Sequence, residues 1–292
     1  MQRVLSLCCA AGVLMLAACS PARQATPAGP AAHQRAIEQW RSERVARLTA
    51  PDGWLTLVGL FWIEEGDSRV GSDPNFEVPL PASLPARVGT ITLRKGKAHF
   101  APAAGVNLKA TDLRPDSVAG YDVLSLGTAS FYLIERGGRF GIRVKDTKSP
   151  AREHFAGLDW YPVDSSWKVD AKFIPSPHHV TFQTEASVTE EGDSPGFVEF
   201  ERDGQKIRLE PTQEDNELFF VIRDATSGKT TYAASRFVYS GLPKDGHVEV
   251  DFNKAYNPPC VFTAYATCPL PPPSNRMTVA IEAGEKKYSG HL

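Results

Sequence analysis

The chain has 292 residues, with 32 Lys and Arg against 34 Asp and Glu, a formal net charge of −2, and 42% hydrophobic residues. A balance so near neutral gives no electrostatic footprint for nucleic acid or an anionic membrane surface, so neither is an expected partner. The hydrophobic fraction supports a real core, and the length suits one large domain or two closely packed lobes.

Arg3 and an uncharged apolar run from Val4 to Leu16 open the chain. That run is too short to span a bilayer and has the length of a signal-peptide core. Leu16-Ala17-Ala18-Cys19 follows: the small residues fit a peptidase groove, and the cysteine supplies a thiol for a diacylglycerol. The tetrad looks like a lipobox, which makes residues 1–18 a cleaved signal peptide and Cys19 the lipidated, palmitate-bearing end of an exported lipoprotein. In Gram-negative lipoproteins a residue other than Asp after the acylated cysteine, here Ser20, implies the periplasmic face of the outer membrane. Residues 19–32 have the Ala- and Pro-rich composition of a tether. Residues 33–292 are left as a single β-rich body held in the cell envelope by its lipid, each buried methylene contributing about 0.8 kcal/mol.

Ile37, Trp40, Arg44, Val45 and Leu48 recur at three- to four-residue steps, which predicts an amphipathic helix over 33–49 stopped by Pro51. Residues 54–66 are apolar and aromatic and suit a buried strand or a core-lining turn. Short strands flank Arg94-Lys95-Gly96-Lys97; residues 131–135 and 139–145 flank Gly137-Gly138, and 197–201 and 206–209 flank Asp203-Gly204. Such residue pairs accept the positive φ of primed hairpin turns. Further strands are predicted at 180–184, 218–223, 236–239, 247–253 and 277–282. Residues 257–275 hold Pro258, Pro259, Pro269, Pro271, Pro272 and Pro273 and form a rigid extended loop, since proline fixes φ and lacks a donor. The fold class is mainly β: a sandwich or partly open barrel, with an N-terminal helix and a rigid Pro-rich loop near the C-terminus.

Cys8 and Cys9 leave with the signal, so Cys260 and Cys268 alone remain in the body. In an oxidising compartment the pair reads first as a disulfide. Two buried thiols or half a metal site are the alternatives, and metal is the weakest because His247 and His291 show no ligand spacing.

Three passages resemble one bacterial family. They are Asp52-Gly53-Trp54-Leu55 with Gly59-Leu60-Phe61-Trp62, then Arg143-Val144-Lys145-Asp146 with Ser149-Pro150-Ala151-Arg152, then the longest, Asp251-Phe252-Asn253-Lys254-Ala255-Tyr256-Asn257-Pro258-Pro259-Cys260 with Ala266-Thr267-Cys268-Pro269-Leu270-Pro271 and Asn275. The family is the one called domain of unknown function 1684, and the likeness runs from about the first helix to Lys286. It implies no established activity.

Along 139–145, Phe140, Ile142 and Val144 share one face while Arg143 and Lys145 project from the other. With Asp146 at the strand end and Arg152 beyond, they form a group suited to a carboxylate, phosphate or glycan acid through charge-assisted bonds. Along 247–253, Glu249, Asp251 and Asn253 share a polar face, and Asp251 is the candidate catalytic base or the group that orients Arg143. Tyr256 and Asn257 lead into the proline loop and Asn275 closes it, as the wall of a pocket. In the plainer alternative both rows are wet strand faces and the loop is a clamp.

Signatures such as H-E-x-x-H and G-x-G-x-x-G are absent from the chain. Ser165-Ser166-Trp167-Lys168 matches S-x-x-K without its partner motifs, and His178-His179 place their side chains on opposite strand faces. The expected function is a lipid-anchored envelope protein whose polar pocket binds a small anionic or glycan-like ligand, with hydrolysis assigned to Asp251 if it occurs. The alternative is a non-enzymatic assembly or scaffold protein. No cofactor and no metal are expected. The functional reading rests on Arg143 and Asp251 lining one hollow.

Overall fold

The computed structural model describes residues 29–290; the predicted signal segment, Cys19 and most of the tether lie outside the described residues. Helix α1 (Pro30–Thr49) begins three residues earlier than the periodicity predicts. Pro30 sits in its first turn, where the missing N–H is no loss and φ is already helical. The buried stripe is His33, Ile37, Arg44 and Leu48. The two polar members each find a carboxylate, His33 on Asp251 and Arg44 on Glu285.

The next strands are β1 (Leu57–Ile63), β2 (Gly66–Gly71), β3 (Val78–Pro79), β4 (Gly89–Arg94), β5 (Lys97–Pro102), β6 (Thr111–Leu113), β7 (Val123–Leu126), β8 (Ala129–Arg136) and β9 (Arg139–Asp146). They form two sheets, ordered β3-β2-β4-β5-β6 and β1-β9-β8-β7. Ile91 and Phe100 of the first sheet meet Phe131, Leu133, Ile142 and Val144 of the second in one apolar cluster. Each such side chain contributes about 1.5–3 kcal/mol by leaving water. Arg136 faces Arg139 across Gly137 (φ 53°) and Gly138 (φ 74°), the left-handed pair that a two-residue primed turn requires.

After α2 (Pro150–Glu153) come β10 (Lys168–Gln183), β11 (Thr189–Arg202), β12 (Gln205–Leu209), β13 (Thr212–Glu214), β14 (Glu217–Ile222), β15 (Arg236–Gly241) and β16 (His247–Asp251). Their sheets, β12-β11-β10-β16 and β13-β14-β15, enclose a second cluster that includes Val198, Leu209, Phe220, Val238 and Val250. Strand β14 is apolar on both faces. Leu218, Phe220 and Ile222 enter this core, while Phe219 and Val221 look the other way, beside Phe237 of β15. Among the described residues none of the four sheets closes on itself, so the structure is sandwich-like and not a closed barrel.

Long strands β10 and β11 run beyond the second core as a two-stranded arm. Its tip reaches the β8–β9 turn, where a Cβ on Gly137 would meet Val188, and where Arg136 faces Glu190 at 3.5 Å. The arm and the proline loop bridge the two cores. That loop carries two 3-10 turns, Pro259–Val261 and Pro273–Asn275, and no strand. It is fixed to the arm by Leu270 N–H on the Gln183 carbonyl, and to β1 by the Thr263 hydroxyl on the Leu57 carbonyl.

Two predicted strands are corrected. Residues 277–282 make no ladder: Met277 N–H bonds the Arg223 carbonyl and Ala225 N–H the Val279 carbonyl, which leaves an extended strap burying Val279 and Ile281. Strand 247–253 ends at Asp251, because the Asp251 carboxylate caps a 3-10 turn, Phe252–Lys254, by accepting from Asn253 N–H.

Candidate functional site

Arg143 stands in the middle of β9 between Tyr132 of β8 and Leu60 of β1, on the face turned away from the first core. It is only 4% exposed. One terminal nitrogen donates to the Thr267 hydroxyl at 3.0 Å, the other lies 3.6 Å from Asp116, and Nε–H has no partner. Trp54 lies under the guanidinium, 5.3 Å to the ring centre. A guanidinium carries five N–H donors, and a buried donor left unsatisfied costs about 1–3 kcal/mol. Arg143 lines a hollow of 640 Å³ between the two cores, within the roughly 300–1,000 Å³ of ordinary small-molecule sites.

Lys145 lines the same hollow. Its Nζ donates to the Asp52 carbonyl at 2.5 Å, and burial holds its pKa below the ordinary lysine value. Asp116 is fastened by two bonds from Arg136, at 2.8 and 2.7 Å. Glu190 enters from the arm with one carboxylate oxygen unbonded, and burial pushes its carboxyl above the ordinary range, toward the neutral form. With Asp116 satisfied by Arg136, Arg143 and Lys145 are the cations left to face the hollow.

Asp251 is elsewhere. It lies against α1, 2.7 Å from His33 Nε2, and its other oxygen accepts from the backbone and side-chain nitrogens of Asn253. Arg143 and Asp251 therefore do not line one hollow, and Asp251 neither orients Arg143 nor faces a substrate space. The strand alternation that grouped Glu249, Asp251 and Asn253 fails where the 3-10 turn begins: Glu249 is exposed and paired with Lys168, whereas Asp251 and Asn253 are sealed.

Asp146, Arg152, Asn253, Asn257 and Asn275 are also framework. Asp146 closes the turn after β9 by accepting from Lys148 N–H, and Arg152 ties the carbonyls of Thr49 and Thr147. Asn253, Asn257 and Asn275 are fully buried. Asn253 bonds both backbone groups of Asp164, Asn257 donates to the Lys286 carbonyl, and Asn275 clamps Glu210 and Val221. The expected disulfide is absent: Cys260 and Cys268 are free, with Cys260 N–H on the Cys268 sulfur at 3.2 Å. Hydrogen bonding to Cys268, then burial, raises the Cys260 pKa, and a thiol held protonated is a poor nucleophile.

Tyr256 lines a second hollow of 630 Å³, which shares Trp54, Phe219, Phe237 and Pro259 with the first. Phe219, Tyr239 and Tyr256 form a row, with ring centres 4.7 and 6.5 Å apart and planes within 27° and 11°. Arg44 closes its end at 4.6 Å from Tyr256. The Tyr239 hydroxyl donates to Glu214 at 2.6 Å, and Glu217 and Lys254 stand on the wall. Sequence reasoning missed Asp116, Glu190 and, Tyr256 apart, this aromatic row. The alternation of Phe219 with Phe220 was the one available signal that β14 has a second covered face.

Similarity follows the same division of the chain. The family described as Protein of unknown function (DUF1684) matches residues 153–286, the part holding the second core and the proline loop. The chain resembles that family there; the Asp52–Trp62 and Arg143–Arg152 passages lie outside the match. No curated protein matches. Among solved structures, an uncharacterized protein of Haloarcula marismortui, determined by solution NMR, is 29% identical, with 48% of this chain and 81% of that chain covered and a TM-score of 0.40.

Proposed function

We propose that the protein is a lipid-anchored envelope binding protein that holds a small acid in the hollow around Arg143. The carrying observation is the under-bonded guanidinium: it is almost fully buried, its Nε–H is unpartnered, and it faces a space large enough for a ligand. A carboxylate or phosphate that enters beside the guanidinium accepts from it through charge-assisted bonds, the recognition at which arginine excels. Lys145 adds a second charge. The anchor comes from Cys19 and the residues before it, and it confines the binding body to a membrane surface.

The reading is one of binding, since the acid once assigned as a base lies outside the hollow. A thermal-shift titration with D-galacturonate tests it. Ligand at 100 times its Kd stabilises by about 2.7 kcal/mol, so the expected result is a rising Tm that Arg143→Met abolishes. An equal rise in wild type and variant removes Arg143 from the site.

A further inference from the structure

Resting on that reading, we infer that the ligand is an acidic oligosaccharide lying along both hollows, with one carboxylate on Arg143 and Lys145 and a following ring against Tyr239. Continuity is the first support. Trp54, Phe219, Phe237 and Pro259 belong to both walls, so a molecule seated on Arg143 extends over these rings without crossing a barrier of its own length.

The chemistry of the second wall narrows the class. Its apolar surface is almost wholly aromatic, with Leu48 as its one branched aliphatic residue. Flat π faces suit rings better than a flexible acyl chain. Among these rings stands the carboxylate of Glu217, which only accepts hydrogen bonds when ionised. A fatty or simple aromatic acid brings further acceptors and leaves it unmatched. Sugar hydroxyls bring donors, and an acidic sugar brings donors and the carboxylate together. At the far end Lys254 makes no ion pair among the described residues, and Arg47 has only a 3.9 Å contact with Glu43. A second acidic ring reaching them would meet positive charge again.

The test is calorimetric titration of the full chain with trigalacturonate, galacturonate and neutral maltotriose. Trigalacturonate is expected to bind at least about 10-fold more tightly than either of the others, roughly 1.4 kcal/mol. Tyr239→Leu and, separately, Lys254→Gln should weaken the trimer several-fold and leave the monomer unchanged. Two independent variants guard against loss of folding in one. Equal affinity for trimer and monomer, with Arg143→Met still weakening both, overturns the oligosaccharide inference and keeps the anion site. Failure of both acids to bind overturns both.

Discussion

Replacing Arg143 by methionine removes a buried charge while keeping an apolar stem over Trp54. Breaking a buried ion pair ordinarily costs about 3–5 kcal/mol, because the partner is left charged and alone. That penalty is small here, since Asp116 keeps two short bonds from Arg136 and loses only a 3.6 Å neighbour. What disappears is the Thr267 bond, worth about 1.5–3 kcal/mol for a charged donor, and the unsatisfied Nε–H, whose relief returns about 1–3 kcal/mol. The two nearly cancel, so Arg143→Met should shift stability by less than about 1 kcal/mol. Arg236 is the control. It and Asp224 are each 1% exposed in their side chains and bonded at 2.7 Å, with no second cation on Asp224. Arg236 has an unpartnered buried Nε–H as well, so Arg236→Met should cost about 3–5 kcal/mol for the broken pair less the roughly 1–3 kcal/mol that its own Nε–H returns. Urea denaturation of the two variants measures both numbers. Equal, large losses would show that Arg143 is as much a framework residue as Arg236, and the reasoning that Arg136 keeps Asp116 satisfied would be wrong.

Anion affinity should fall as pH rises through the lowered pKa of Lys145, because the charged form binds, and the fall should begin below the ordinary lysine range. It should also strengthen as acidification protonates Glu190, whose carboxyl is already pushed up; titrations across pH that show the opposite slope would contradict both assignments. Glu190→Gln should raise stability at neutral pH and match wild type in acid, since a carboxyl raised on folding contributes its stability below the unfolded pKa and loses it above the folded one; urea curves at the two pH values decide it. Asp251→Asn should cost about 1–2 kcal/mol through the weakened hydrogen bond to His33 yet leave ligand affinity unchanged, and a large affinity loss would return Asp251 to the site. Cys19→Ser should move the protein from the membrane to the soluble fraction of its host, whereas retention in the membrane would refute the lipid anchor. Iodoacetamide under native conditions should modify Cys260 and Cys268 slowly and in denaturant quickly; an unmodified pair in denaturant, two mass units light, would mean a disulfide.

Much of the scaffold was legible because its signals are local. Gly137-Gly138 and Asp203-Gly204 needed no knowledge of distant residues to mark hairpins, and the alternation of Phe140, Ile142 and Val144 against Arg143 and Lys145 placed β9 correctly. The error at Asp251 has a long-range cause. Its carboxylate is claimed by His33, 218 residues away, and by its own capping of Asn253, so a polar residue on the expected face ended inside the protein. Asn253, Asn257 and Asn275 were misjudged for a related reason. In an irregular loop the backbone groups lack a ladder, and buried amides are what satisfy them. The aromatic row escaped because β14 is apolar on both sides; composition shows that two faces are covered and leaves open whether the cover is core or cleft.

The central claim, that the guanidinium of Arg143 is where an acid docks, is tested most directly by NMR. The Arg143 side-chain Nε–H resonance, assigned by its loss in Arg143→Met, should move downfield and exchange more slowly with water as D-galacturonate is added. A resonance that stays in place at saturating acid would contradict the account.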